Sequence, residues 1–179
     1  MDRLERVGRA SLVGEMRRLL ELTLPKNVRL KTQLAEDLPD VEIDAAQVRQ
    51  AIVNLVQNAA QSMGDARGEV LVRTRLVERG RQAFLESFLR DVEEPSAGAA
   101  ASLLELSVTD EGSGISLKDV GRVFEPFFTR RPGSRGLGLS GVLGIIHGHS
   151  GAIAIDTREG RGTTILLYFP VPATQPEEV

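Results

Sequence analysis

Hydrophobic and polar positions alternate along this chain with two periods, and the switches between them mark out its elements. Leu12, Met16, Leu19 and Leu20 share one helical face, Ser11 is placed to cap it, and Pro25 stops it. Val28, Leu30 and Thr32 then alternate with Arg29 and Lys31 as in a strand. The clearest helix runs from Asp44 to Met63. Asp44 and Gln47 have the spacing of a capping box, and Ile43 and Val48 that of a hydrophobic staple. Val48, Ala51, Ile52, Leu55, Val56, Ala59 and Met63 form its apolar face, and Gly64 ends it.

Val70–Val77 and Leu103–Thr109 are β-rich runs. The stretch between them, Glu78–Ser102, holds Phe84, Leu85, Phe88 and Leu89 at helical spacing, and then a Pro/Gly/Ala/Ser loop. That stripe is expected to cover core rather than to dock a partner. A further helix is predicted near Leu137–His147, then strands at Ile153–Thr157 and Thr164–Phe169 joined by a turn at Glu159–Gly162. Strands interleaved with three good helices predict an α/β sandwich, one sheet with helices on a single face. Residues 1–10 are charged and patternless, so a frayed tail or the end of a preceding helix is expected there. The domain is placed at 11–170, with 78–102 as an insertion and 171–179 as a disordered tail.

Composition narrows the function classes. At 179 residues the chain has the size of one domain, and its net charge of -3 gives no broad attraction to nucleic acid or anionic membrane. The absence of Trp leaves little for base stacking, and the absence of Cys excludes a zinc ribbon, a disulfide framework and a cysteine nucleophile. No apolar run is long enough to span a bilayer. Together these predict a soluble, cytoplasmic domain. Lys occurs only at positions 26, 31 and 118, none beside a glycine-rich loop, so a Walker P-loop is excluded.

Four features could carry chemistry. Gln50, Asn54, Asn58 and Gln61 line one edge of the long helix, and amides at i and i+4 suit a hard cation or phosphate-bound water. Val108-Thr109-Asp110-Glu111-Gly112-Ser113-Gly114-Ile115 closes a strand with a carboxylate, two permissive glycines and an apolar side chain. Phe124-Glu125-Pro126-Phe127-Phe128-Thr129-Arg130-Arg131 is an aromatic cluster running into two cations, or else a plug under a loop. Gly133-Ser134-Arg135-Gly136-Leu137-Gly138-Leu139-Ser140 opens a helix, and a helix N-terminus attracts anions.

In this order, the four features resemble the ATP-binding catalytic domain of sensor histidine kinases, within the gyrase/chaperone/histidine-kinase/MutL ATPase superfamily. The resemblance runs from about Ser11 to Pro170 and implies a Bergerat-type fold, ATP and Mg²⁺. It makes Asn58 the Mg²⁺ ligand and Asn54 a support for the metal or the phosphates. Asp110 becomes the reader of the adenine amine, and Gly112, Gly114 and Ile115 shape the base pocket. Thr129 and Arg131 fall where a short lid begins, with Arg131 where the family often has Lys. Gly136, Leu137, Gly138 and Leu139 fall where the lid meets the phosphates, and Thr163 helps hold the base. His147 matches the family's structural H-G-x, which leaves no phosphoacceptor His in the chain.

The hydrolases of the superfamily carry a general-base Glu four residues before the metal Asn. Here that place is Asn54, an amide that cannot take a proton near neutral pH, so weak hydrolysis and a kinase role are expected. The implied partners are a His-containing dimerisation domain and a response regulator receiver domain, with no nucleic acid, no direct membrane contact and a monomeric isolated domain. A stand-alone anti-sigma-type serine kinase and a nucleotide-dead interaction module are the alternatives.

Overall fold

The computed structural model describes residues 5–7, 12–78, 102–129, 136 and 138–172. Its strands are β1 (Glu5–Val7), β2 (Val28–Leu34), β3 (Val41–Ile43), β4 (Gly68–Glu78), β5 (Ser102–Asp110), β6 (Ala152–Arg158) and β7 (Gly162–Pro170). Its helices are α1 (Leu12–Thr23), α2 (Ala45–Met63), α3 (Leu117–Val120) and α4 (Gly138–Gly148). The main sheet has five strands in the order β2-β4-β5-β7-β6. Only β2 and β4 pair in parallel, because α2 lies between them in the chain and returns it to the same end of the sheet.

α2 is the spine of the fold. Asp44 caps it by accepting from Ala46 N and Gln47 N at 2.9 and 3.0 Å, and Gly64 closes it in the left-handed region at φ +57°. Ala51, Ile52 and Val56 on its apolar face are fully buried, each larger side chain contributing about 1.5–3 kcal/mol. They pack with Leu20 of α1, Ile146 of α4 and alternate residues of β4, β5 and β7 in one core. The α/β sandwich with three helices on one face is therefore as expected.

The opposite face of the sheet is also apolar along β5, β6 and β7, where Leu103, Ala152, Ala154, Leu166 and Tyr168 form a small second cluster. Glu105 is buried on this face, and its two carboxylate oxygens accept from Arg75 Nε and Nη2 at 2.7 and 2.8 Å. Burial, and then the charge of Glu105, push the Tyr168 hydroxyl well above the usual tyrosine range.

Four expectations change. Glu5–Val7, expected in a frayed tail or preceding helix, instead pair antiparallel with Val41–Ile43, which satisfies the backbone groups of both short strands. Leu19 is 54% exposed, since the face of α1 centres on Val13 and Met16 and leaves Leu19 at its rim. Val171, expected in a disordered tail, donates its N–H to Ser102 O at 3.1 Å and packs against the core. The structural histidine is His149, not His147. His149 is buried, Nε2 accepts from Asp44 N at 2.9 Å, and Nδ1 lies 2.7 Å from Ile145 O. His147 is exposed. Since a backbone N–H bonds Nε2, it is Nδ1–H that faces Ile145 O, and the ring ties the end of α4 to the start of α2.

Ser11, the Phe84–Leu89 stripe and residues 173–179 lie outside the described residues.

Candidate functional site

The second half of α2, the C-terminal end of β5 and the start of β7 enclose a cavity of about 870 Å³ together with the start of α4. Asn54, Asn58, Asp110, Gly114, Ile115, Thr129, Gly136, Gly138, Leu139 and Thr163 all line it. Ten of the positions singled out from sequence thus meet around one space, although they span more than a hundred residues of chain. Gly112 stands just behind the lining, and Arg131 and Leu137 lie outside the described residues.

One end of the cavity is tightly bonded. Asp110 is buried, and its Oδ1 accepts from Gly112 N at 2.8 Å and from Ser62 Oγ at 2.7 Å. Glycine is required at three points here. A Cβ on Gly112 would collide with Ser62, one on Gly114 (φ +66°) with Arg158 O, and one on Gly162 (φ +97°) with Asp110 O. Thr157 links the remaining parts. Its hydroxyl accepts from Ile115 N at 2.9 Å and lies 2.9 Å from the Thr163 hydroxyl. Val108, Ile115 and Ile165 supply apolar surface beside these polar groups.

The other end is looser. Among the described residues the Asn58 side chain makes no hydrogen bond, while Asn54 Oδ1 accepts from Gln50 Nε2 at 2.9 Å. Gly138 opens α4 directly against Asn58, and a Cβ there would stand 2.9 Å from Asn58 Nδ2. The lining residues described here include no Lys or Arg, and no group of three or more His, Asp or Glu able to hold a metal occurs among the described residues. A polyanion at this end would rest on amides, on the N-terminus of α4 and on whatever cation it brings.

The aromatic segment divides. Phe124 packs against the core and Phe128 lines the cavity under the Arg122 guanidinium, 4.6 Å from the ring centroid, whereas Phe127 is 75% exposed. Phe127 takes φ +68° and its N–H donates to Gly136 O at 2.9 Å, which fixes where the chain re-enters the site.

Sequence reasoning missed Ser62 and Thr157. Ser62 follows Asn58 by one helical turn, so extending the amide stripe one residue past Gln61 in phase with Asn58 would have found it. Nothing local marks Thr157, whose partners are brought to it by the β6–β7 turn.

Comparison with known proteins agrees with this geometry. Residues 43–173 match the family described as histidine kinase-, DNA gyrase B-, and HSP90-like ATPase. The chain belongs to that family. It is 35% identical to the sensor kinase CckA of Brucella abortus over 89% of this chain and 16% of that protein. It is 29% identical to the sensory histidine kinase/phosphatase NtrB of Vibrio alginolyticus over 89% of this chain and 42% of that protein. The catalytic domain of histidine kinase ThkA superposes with a TM-score of 0.69 at 26% identity, covering 94% of this chain and 95% of that domain. The chain therefore has the fold of a histidine kinase catalytic domain, and it spans less than half the length of these two curated relatives. Among its described residues no helix is long and apolar enough to cross a membrane.

Proposed function

We propose that the chain is the ATP-binding catalytic part of a sensor histidine kinase, transferring the γ-phosphate of ATP to a histidine on a separate dimerisation domain. The observation that carries this reading is the shared cavity, which is lined both by the buried Asp110 carboxylate and by Asn54, Asn58 and the start of α4. Asp110 accepts the adenine amine, with Thr163 beside it and Ile115 against the ring. Asn58 and Asn54 turn toward the phosphates, and the N–H groups at the start of α4, with Gly138 and Leu139, cradle them. Thr129, Arg131, Gly136 and Leu137 belong to the segment that closes over the nucleotide, where Arg131 brings a planar cation to the phosphates.

The amide oxygen of Asn58 is a hard donor of the kind Mg²⁺ prefers, and the described lining residues, which include no Lys or Arg and no group of three carboxylates, suit an ion that arrives with phosphate and water ligands. When bound, Mg²⁺ supplies neutralisation of the phosphate charge. The chain's own part is alignment. It fixes the base, holds the phosphates at the helix N-terminus and leaves the γ-phosphate facing outward to an external nucleophile. Asn54 cannot serve as a general base, so water is a poor acceptor and the histidine of the partner domain a better one.

On this reading the domain works in the cytoplasm as a monomer, contacts neither membrane nor nucleic acid, and its phosphoryl group passes on to a response regulator receiver domain. Incubating the chain with its histidine-bearing domain and γ-labelled ATP tests the reading. Acid-labile label on histidine is expected. Acid-stable label on serine would favour the serine-kinase alternative, and no transfer with no nucleotide binding would favour a docking module.

A further inference from the structure

Ser62 sits one turn beyond Asn58 on α2, where the helix ends against the Asp110–Gly114 turn. Three contacts hold it there. Its hydroxyl is 2.7 Å from Asp110 Oδ1 and 2.7 Å from Ala59 O, and its carbonyl accepts from Ser113 N at 3.2 Å. One hydroxyl proton serves the two acceptors, and the carboxylate oxygen, being charged, is the stronger. Gly112 N–H bonds the same Oδ1 from the other side at 2.8 Å. The Asp110 carboxylate thus cannot swing about its χ angles without breaking two hydrogen bonds. Glycine at 112 is what lets the turn come close enough to Ser62 for both bonds to form on one oxygen.

From this arrangement we infer that Ser62 is a positioning residue for base selection, holding the Asp110 carboxylate in the one orientation that accepts a purine 6-amino group and rejects a 6-oxo group. This rests on the nucleotide reading above. A 6-amino purine gives the fixed carboxylate a donor, whereas a 6-oxo purine sets one acceptor against another. If the carboxylate were free to rotate, it could turn from the oxo group toward other donors and the penalty would shrink. The Ser62 hydroxyl bonds Asp110 at the base-reading end of the cavity, so its effect should appear at the base and not at the phosphates.

The test is titration calorimetry of the whole chain with ADP and with inosine diphosphate, which differ in this one group, with and without Mg²⁺. The wild type should prefer ADP by at least about tenfold. Ser62→Ala should reduce that preference by about tenfold, mainly by weakening ADP, and leave the Mg²⁺ enhancement as it was. Ser62→Thr, which keeps the hydroxyl, should restore the preference, and Ser62→Cys, which keeps the size and weakens the donor, should fall between. The inference is overturned if Ser62→Ala and Ser62→Cys keep the wild-type preference, or if they lose both nucleotides in equal measure. A wild type that binds both diphosphates equally would instead contradict the assignment of Asp110 as the base reader.

Discussion

The two ends of the cavity are built in opposite ways. At the Asp110 end a series of polar groups is tied to other parts of the protein. Asp110 is tied to Ser62 and Gly112, Ile115 to Thr157, and Thr157 to Thr163. At the Asn58 end the amide makes no bond among the described residues, and a glycine at a helix start stands against it. A base is neutral and brings little organising charge, so its reader has to be in place beforehand. A triphosphate with its cation brings strong charge and orders flexible donors itself. The contrast predicts that damage at the first end costs fold and binding together, and that damage at the second costs binding alone.

The largest effect should come from Gly112→Ala. Its Cβ has to displace Ser62 or the turn, so at least one of the two bonds that fix Asp110 is lost. Nucleotide affinity should fall more than about 100-fold, with destabilisation of about 1–3 kcal/mol by denaturant titration. Unchanged stability would mean that the base end is softer than its bonding implies. Asn58→Ala comes next and sharpens the contrast. Affinity in the presence of Mg²⁺ should drop about 10–100-fold while the unfolding midpoint stays near wild type, because no hydrogen bond of the fold is broken.

Both ends depend on α2 staying in place, and His149 anchors its first turn. His149→Ala removes the acceptor for Asp44 N–H and a ring packed edge-on against Phe169, at a cost of about 1–3 kcal/mol in chemical denaturation. His147→Ala should stay within about 0.5 kcal/mol. Equal losses in the two variants would contradict the assignment of the structural role to His149.

The smallest effect concerns the far face of the sheet. The Tyr168 hydroxyl is held above its usual range by burial and by Glu105, so the unfolded chain releases this proton first as pH rises. The stabilisation is full below the unfolded value of about 10 and is lost progressively above it. Tyr168→Phe should therefore flatten the alkaline fall in melting temperature and leave nucleotide affinity unchanged.

The parts of this molecule legible in its sequence are those whose signals are local. α2 announces itself by period and cap, and its cap, its buried stripe and its stop at Gly64 all lie where the pattern puts them. The same holds for Asp110 and its glycines, where spacing alone exposes a turn that backbone must approach closely. The β1–β3 ribbon was not legible, because three residues of alternation in a charged stretch carry almost no signal and the pairing bridges distant segments. The two histidines show a different failure. The H-G pair at His147 matches a motif, but the helix ends so that His149 is the one turned under α2, and only the three-dimensional end of the helix decides between them. Ser62 and Thr157 belong to the same class, since their importance lies in partners 48 and 42 residues away.

The proposed function is one preformed pocket that binds a nucleotide, with the base end built in and the phosphate end completed by a cation. It is tested most directly by calorimetric titration of the chain with a non-hydrolysable ATP analogue, with and without Mg²⁺. Micromolar binding, about -8 kcal/mol, that strengthens with Mg²⁺ in the wild type and not in Asn58→Ala is expected. Absence of binding in both conditions would contradict it.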